Sequence, residues 1–282
     1  MSEAYQETNV STFRLRRRTP GSFLLVPCPK QDRAIRCQGQ LEGAAATILA
    51  ACPQVARIRE QPCSVWYSWD TDKQGLQIDL LDKIPQRRPK NTELSGTSHI
   101  VPDFLVEMTD GRERLVETKP SQRLDRPVVQ RKLAVAQRLA CEKGWTFHVV
   151  TEKELFQGPL LANVRLINRY RQANLNEDDL DRLIHQVPPN GIELSVLFQG
   201  FNPNLHGQVR MRVFHLLATG RLSFDPCAKP LDDQTPIFPE GVISWDPFDS
   251  LWAPSGSSTG GSGGSSASSP PTASLPKTPN ST

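Results

Sequence analysis

No Cys-x-x-Cys pair occurs in the sequence, where six cysteines stand apart at positions 28, 37, 52, 63, 141 and 227. The five histidines are scattered too, so neither residue type offers the paired ligands of a zinc site. Long apolar runs are missing as well. None approaches the roughly eighteen residues of a membrane-spanning helix, and the polar stretch from Met1 to Val10 has no signal-peptide core. Neither sign of charge prevails: 33 Lys and Arg face 30 Asp and Glu, for a net charge of +3. That balance permits a nucleic-acid partner without requiring one. Cys52 and Cys141 fall on apolar faces of expected helices and read as reduced core residues.

What the chain does contain is a group of acids beside a lysine. From Pro102 the sequence runs Asp103, Phe104, Leu105, Val106, then Asp110-Gly111, then Leu115 to Lys119. Asp-Gly between two apolar runs predicts a hairpin. Side chains alternate along a strand, so Glu117 and Lys119 share one face while Val116 and Thr118 take the other. Asp103, at the start of the first strand, comes to the same end. Two carboxylates and an ammonium gathered there suit a Mg²⁺-dependent phosphodiesterase. Oxygen ligands hold the ion near the scissile phosphate, and a cation steadies the crowded negative charge of the transition state. The plainer alternative is an amphipathic hairpin with a surface Glu and Lys. Acids at the edges of apolar strands count against it, because burying them is costly.

A third carboxylate comes from the preceding segment. Leu41, Ala45, Ile48, Leu49 and Cys52 recur at helical spacing, which predicts a helix from about Arg36 to Cys52, closed by Pro53. Glu42 is its one acid and lies beside the apolar stripe. A solvated helix face normally carries several charges, so a lone Glu among Gly, Ala and Thr points to a partly buried acid.

The rest reads in outline. Val65 and Tyr67 belong to a strand, with Leu76 to Leu81 as its partner. A helix from Val128 to Lys143 carries Val129, Leu133, Ala136 and Ala140 on one face and stops at Gly144. Trp145 to Val150 is a strand, and Thr151 with Glu154 forms a capping box for the next helix. The expected class is α/β: a mixed sheet flanked by helices, ending near residue 172. A second unit follows, with Asn176 capping a helix to His185 and helices over Leu194–Phe201 and Leu205–Thr219. The last of these carries Val209, Val213, Leu216 and Leu217. A short strand from Gly220 to Phe224 and a wing-like stretch from Pro226 to Pro236 suggest a small winged helix. Between Ile243 and Trp252 lie two Trp, one Phe and two Asp, which suit either a terminal strand or, preferred here, a docking motif. From Pro254 onward Ser, Gly, Thr and Pro dominate, and a disordered tether is expected. Two basic clusters, Arg14, Arg16, Arg17 and Arg18 and then Arg87, Arg88 and Lys90, are candidates for contacts to DNA phosphates.

Three stretches make the resemblance specific: Ile58 to Pro62, His99 to Val106, and Val116 to Pro120. They resemble TnsA, the endonuclease subunit of heteromeric transposases of the PD-(D/E)xK, restriction-endonuclease-like group. Arg131 to Leu133, Gly144 to Glu152 and Pro159 to Asn163 continue in similar order, so the likeness spans roughly residues 30–235. It implies Asp103 and Glu117 as metal-binding acids, Glu42 as the helix-borne acid and Lys119 as the charge stabiliser. The Thr118 backbone carbonyl is expected to be a further metal ligand. Some relatives carry Gln where Glu117 stands. The expected cofactor is Mg²⁺. The expected partners are DNA at transposon ends, a DDE-type transposase and an AAA+ ATPase regulator, in a bacterial cytosol at the nucleoid. The expected division is a basic arm over 1–30, an endonuclease domain over 31–172 and a winged-helix-like domain over 173–240. An aromatic and acidic segment over 241–253 and a tail over 254–282 complete it. A stand-alone restriction or repair nuclease of the same fold is an alternative. So is a non-catalytic module bridging DNA and the ATPase, though it would have no reason to keep the acids together.

Overall fold

The computed structural model describes residues 23–31, 33–85 and 91–252. The expected tail and both basic clusters, Arg14, Arg16, Arg17 and Arg18 and Arg87, Arg88 and Lys90, lie outside the described residues.

β1 (Phe23–Val26) pairs antiparallel with β2 (Ile35–Gln38), and α1 (Gln40–Ala51) follows. The helix therefore starts four residues later than expected. Arg36 to Gln38 fit a helical period, but Ile35 and Cys37 are buried while Arg36 and Gln38 are exposed, which is strand alternation. Gly39, at φ +138, makes the break between the two elements.

β3 (Val55–Glu60) leads to a hairpin of β4 (Val65–Asp72) and β5 (Gly75–Leu80), and β6 (Ser95–Ile100) flanks β4 on its other side. β7 (Phe104–Met108) and β8 (Glu113–Thr118) form the expected hairpin. Its turn is closed by Gly111 N–H to Met108 O at 3.0 Å, with Gly111 at φ +83. Only a residue tolerant of left-handed backbone fits there. α2 (Pro127–Lys143) crosses over to β9 (Thr146–Val150), which runs parallel to β8. α2 ends where expected, at Gly144 in the left-handed conformation. Its buried residues are Val135, Ala136, Leu139 and Ala140. Val129 and Leu133 of the expected face are half-buried, and Cys141 is exposed rather than in the core.

The sheet order is β3-β7-β8-β9. Its strands alternate between two cores: Phe104, Val106, Met108, Val116 and Val150 face one, while Leu105, Leu115 and Phe147 face the other. α1 packs in the first core, and α2 in the second together with the β4 sheet. Arg131 of α2 lies 3.9 Å from the centroid of Trp69, a cation–π contact that ties this layer together. α3 (Glu152–Phe156) begins with the expected capping box of Thr151 and Glu154, and α4 (Leu160–Asn168) then packs on α1.

A third core belongs to α5 (Glu177–Ile184), β10 (Ile192–Glu193), α6 (Leu194–Gln199), α7 (His206–Thr219), β11 (Leu222–Ser223) and β12 (Pro236–Pro239). The three short strands form one sheet in the order β10-β12-β11. Asn176 caps α5, as expected. The connection from β11 to β12 does not stand clear of the molecule. Buried Asn163 of α4 donates to the carbonyls of Pro226 at 2.9 Å and Lys229 at 2.8 Å, and accepts from Leu231 N–H at 2.8 Å.

The aromatic segment after β12 returns to the first core. It forms neither a strand nor a free docking motif. α8 (Pro247–Ser250) carries Phe248 inward, and Trp252, 1% exposed, is among the most buried large side chains. His148 Nδ1 lies 3.1 Å from Trp252 O. Buried Arg114 sits 4.6 Å above the Phe248 ring, and its guanidinium reaches Asp246 at 3.6 Å and Asp249 at 3.8 Å. No helix among the described residues is long and apolar enough to cross a membrane.

Candidate active site

The β7–β8 hairpin brings Asp103, Glu117, Thr118 and Lys119 together at one end of the central sheet. Phe104 stands opposite Val116, so Asp103, one residue earlier, comes level with Glu117. The contacts are reciprocal. Asp103 N–H donates to Glu117 Oε2 at 3.1 Å. Thr118 donates both its N–H, at 2.7 Å, and its hydroxyl, at 2.8 Å, to Asp103 Oδ2. Lys119 Nζ donates to a Glu117 carboxylate oxygen and, at 3.0 Å, to the Thr118 carbonyl, and it stands 3.9 Å from Asp103 Oδ2. The two acids and the lysine are largely buried, with side-chain exposures of 13%, 12% and 22%.

Electrostatics set the proton affinities. Burial, then the neighbouring Asp103 charge, pushes Glu117 up to about 7 against the counter-pull of Lys119. Burial alone would pull Lys119 down, but the Asp103 and Glu117 carboxylates outweigh it and its affinity for a proton rises. Lys119 is therefore a firmly held cation.

Glu42, on the first turn of α1, joins this field. Burial and the Asp103 charge push it up to about 7, and Lys119 acts in the opposite sense. One of its oxygens accepts Gln38 N–H at 2.7 Å, which ties the first turn of α1 to the end of β2. The other has no hydrogen-bond partner among the described residues. Glu42 is thus both half-buried and close enough to feel Asp103, as its isolation on the helix suggested.

The available donors are carboxylates and one backbone carbonyl, the hard oxygens that Mg²⁺ takes. Burial first, and the Asp103 charge second, raise the proton affinity of Glu42 and Glu117, and a divalent cation bound beside them would offset both. The residues fit such an ion. Among the described residues no group of three or more His, Cys, Asp or Glu side chains is already disposed around one point as a metal cage. Mg²⁺ commonly keeps water and substrate oxygens among its ligands and uses only one or two carboxylates.

Sequence reasoning missed two neighbours. Glu60, at the end of β3, is a buried carboxylate beside Asp103, and Gln61 donates its N–H to Asp103 O at 2.8 Å. Gln61 is a non-glycine residue at φ +46, directly before Pro62. That conformation costs about 1 kcal/mol or more. The acidity of Glu60 next to a Gln-Pro step was the available signal. A cavity of about 480 Å³, lined in part by Lys30, Arg171, Leu217 and Trp245, shares no residue with the carboxylate cluster.

The hairpin and its surroundings are similar to a known endonuclease family. Residues 52–152 match the family described as TnsA-like endonuclease N terminal. Over that stretch the chain is similar to a TnsA-like endonuclease domain, a likeness that points to a nuclease role related to transposition. It includes Asp103, Glu117, Thr118 and Lys119, whereas Glu42 and everything after residue 152 lie outside it. No curated protein matches the chain.

Proposed function

We propose that the protein is a Mg²⁺-dependent DNA endonuclease that cuts the non-transferred strand at transposon ends, as a subunit of a transposase complex. The observation that carries this reading is the convergence of Asp103, Glu117, Thr118 and Lys119 at one sheet end inside the TnsA-like segment. A four-stranded mixed sheet with helices on both faces supports a restriction-endonuclease-like core for residues 31–172. The succession α5, β10, α6, α7, β11, β12 supports a winged-helix-like domain for 173–240. Because its inter-strand loop is tied to Asn163, that domain suits contacts with the transposase or ATPase at least as well as contacts with DNA.

Asp103, Glu117 and the Thr118 carbonyl would hold Mg²⁺, which when bound polarises the scissile phosphate. The chain's own residues do the rest. Thr118 fixes the Asp103 carboxylate by two hydrogen bonds, and Lys119 offsets the negative charge that builds on the phosphate in the transition state. Glu42 is an additional ligand or orients the attacking water.

Glu42→Gln separates that role from the bond that ties α1 to the end of β2. Glutamine keeps an oxygen to accept Gln38 N–H, so α1 should form unchanged, while the charge is lost. The expected outcome is a fall in cleavage of about a hundredfold or more with a higher Mg²⁺ requirement. A wild-type dependence of rate on Mg²⁺ would leave Glu42 with its bond to Gln38 alone.

Cleavage should depend on partners. The described residues show no helix with an evident set of base-reading side chains, so end specificity must come from elsewhere. The purified chain is expected to nick transposon-end DNA weakly and without sequence preference. Adding the cognate transposase and ATPase should switch on specific nicking. Efficient, specific cutting by the chain alone would instead establish a stand-alone restriction-like enzyme.

A further inference from the structure

At the sheet end that carries Asp103, a second charged pair stands outside the cluster described above. Glu60 is only 1% exposed, and its Cα lies opposite Phe104. One of its oxygens accepts Arg33 Nη1, and the other has no hydrogen-bond partner among the described residues. The next residue, Gln61, holds the Asp103 carbonyl at 2.8 Å. Glu60 and Asp103 therefore ride on one hydrogen-bonded piece of backbone. The Cys37 thiol registers their closeness: after burial itself, the charges of Glu42, Glu60 and Asp103 raise its proton affinity.

Burying a carboxylate with a single partner is costly, and Ile58 on the same strand face shows that an apolar side chain fits this surface. The arrangement yields an arginine that is 42% exposed yet anchored from beneath. Arg33 makes one hydrogen bond through its guanidinium among the described residues. Its remaining N–H groups are available, and the planar fork matches phosphate geometry. Holding a long side chain in place beforehand removes the ordering cost that binding would otherwise meet.

We infer that Arg33 is a phosphate-contacting residue of this site. It grips a phosphodiester group of the DNA next to the one that is cut, and Glu60 is the positioning residue that holds its guanidinium ready. This assignment rests on the nuclease reading given above.

The test uses the full chain, a 40-bp DNA duplex and Ca²⁺ in place of Mg²⁺, with binding followed by fluorescence anisotropy as salt is varied. Arg33→Ala should lower the slope of log affinity against log salt by about 0.9, one phosphate's worth, and weaken binding roughly five- to tenfold near 0.1 M salt. Arg33→Gln can still bond Glu60 but carries no charge. It should show the same loss, and it carries the test if the alanine variant does not fold. Arg33→Lys should keep the slope but bind a few-fold more weakly, having charge without the fork. Glu60→Gln should weaken binding two- to fivefold although position 60 is closed to solvent, which a mere staple between strand and loop would not do. An unchanged slope in Arg33→Ala and Arg33→Gln would overturn the inference, and a lowered melting temperature beside it would identify the pair as such a staple. If the wild type cuts DNA and only the slope is unmoved, the nuclease reading survives alone. If the wild type neither binds nor cuts, with or without transposase, both fall.

Discussion

Asp103→Asn and Lys119→Met are each expected to reduce strand cleavage by about a thousandfold or more while leaving a folded protein. The substitutions are chosen for what they preserve. Asparagine keeps an oxygen for the two Thr118 hydrogen bonds at 2.7 and 2.8 Å, so the end of the hairpin stays in register. Alanine there would leave the Thr118 N–H without its acceptor, at a cost of about 1–3 kcal/mol. Methionine fills the space of the Lys119 stem and removes only the charge. Glu117 then loses the cation that restrains its proton affinity, so it should hold a proton to higher pH than its present value near 7. Fixed charges and donors in such sites are each worth about two to three orders of magnitude in rate, and removing the charge also disturbs metal binding. The measurement is nicking of transposon-end DNA with Mg²⁺ in the presence of transposase and ATPase, alongside thermal melting. Wild-type nicking by either variant would end the nuclease assignment, whatever the melting curves show.

The second large effect concerns stability. Deletion of residues 255–282 should leave melting and cleavage unchanged, because a Ser, Gly and Pro stretch has little apolar surface to contribute. Deletion from Ile243 onward should lower the melting temperature by roughly 6–20 °C. Trp252 and Phe248 are buried in the first core, with Trp245 and Leu251 packed at its edge. Loss of one large buried aromatic residue costs about 3–5 kcal/mol. A domain of this size loses about 2–4 °C per kcal/mol. The deletion would also leave Arg114, 5% exposed, without Asp246, Asp249 and the Phe248 ring, and a buried charge without partners is itself costly. Trp252→Ala should give the smaller end of the range. A silent deletion in calorimetry would mean that the segment does not hold the core.

Local chemistry made the hairpin, α2 and the capping box at Thr151 legible in the sequence. Asp110-Gly111, the Gly144 stop and the Thr151–Glu154 pair each fix backbone geometry within a few residues, whatever the rest of the chain does. The start of α1 was not legible. Arg36 to Gln38 satisfy both periods, and what decides between them is pairing with β1, which no short-range signal announces. The aromatic segment misled for the same reason. Two Trp in an acidic setting look like an exposed anchor until Arg114 is seen to receive Phe248 and the two Asp, and His148 the Trp252 carbonyl, from far away in the sequence. In the site itself, Asp103, Glu117 and Lys119 could be placed from strand alternation. Glu42 could be picked out because a single acid on an apolar helix is out of character. The Arg33–Glu60 pair joins residues 27 apart across a strand and a helix, and nothing in the intervening sequence marks it.

The contact between His148 and Trp252 also has a consequence in time. The two residues are 104 positions apart. At the usual pace of synthesis, roughly 5–20 residues per second, about 5–20 s pass between the emergence of one and of the other. During that interval the β7–β8 hairpin and α2 can form from local contacts, while the sheet around Arg114 still lacks Phe248 and Trp252. The hairpin that carries the acids and the lysine can therefore be in place before that part of the core is closed.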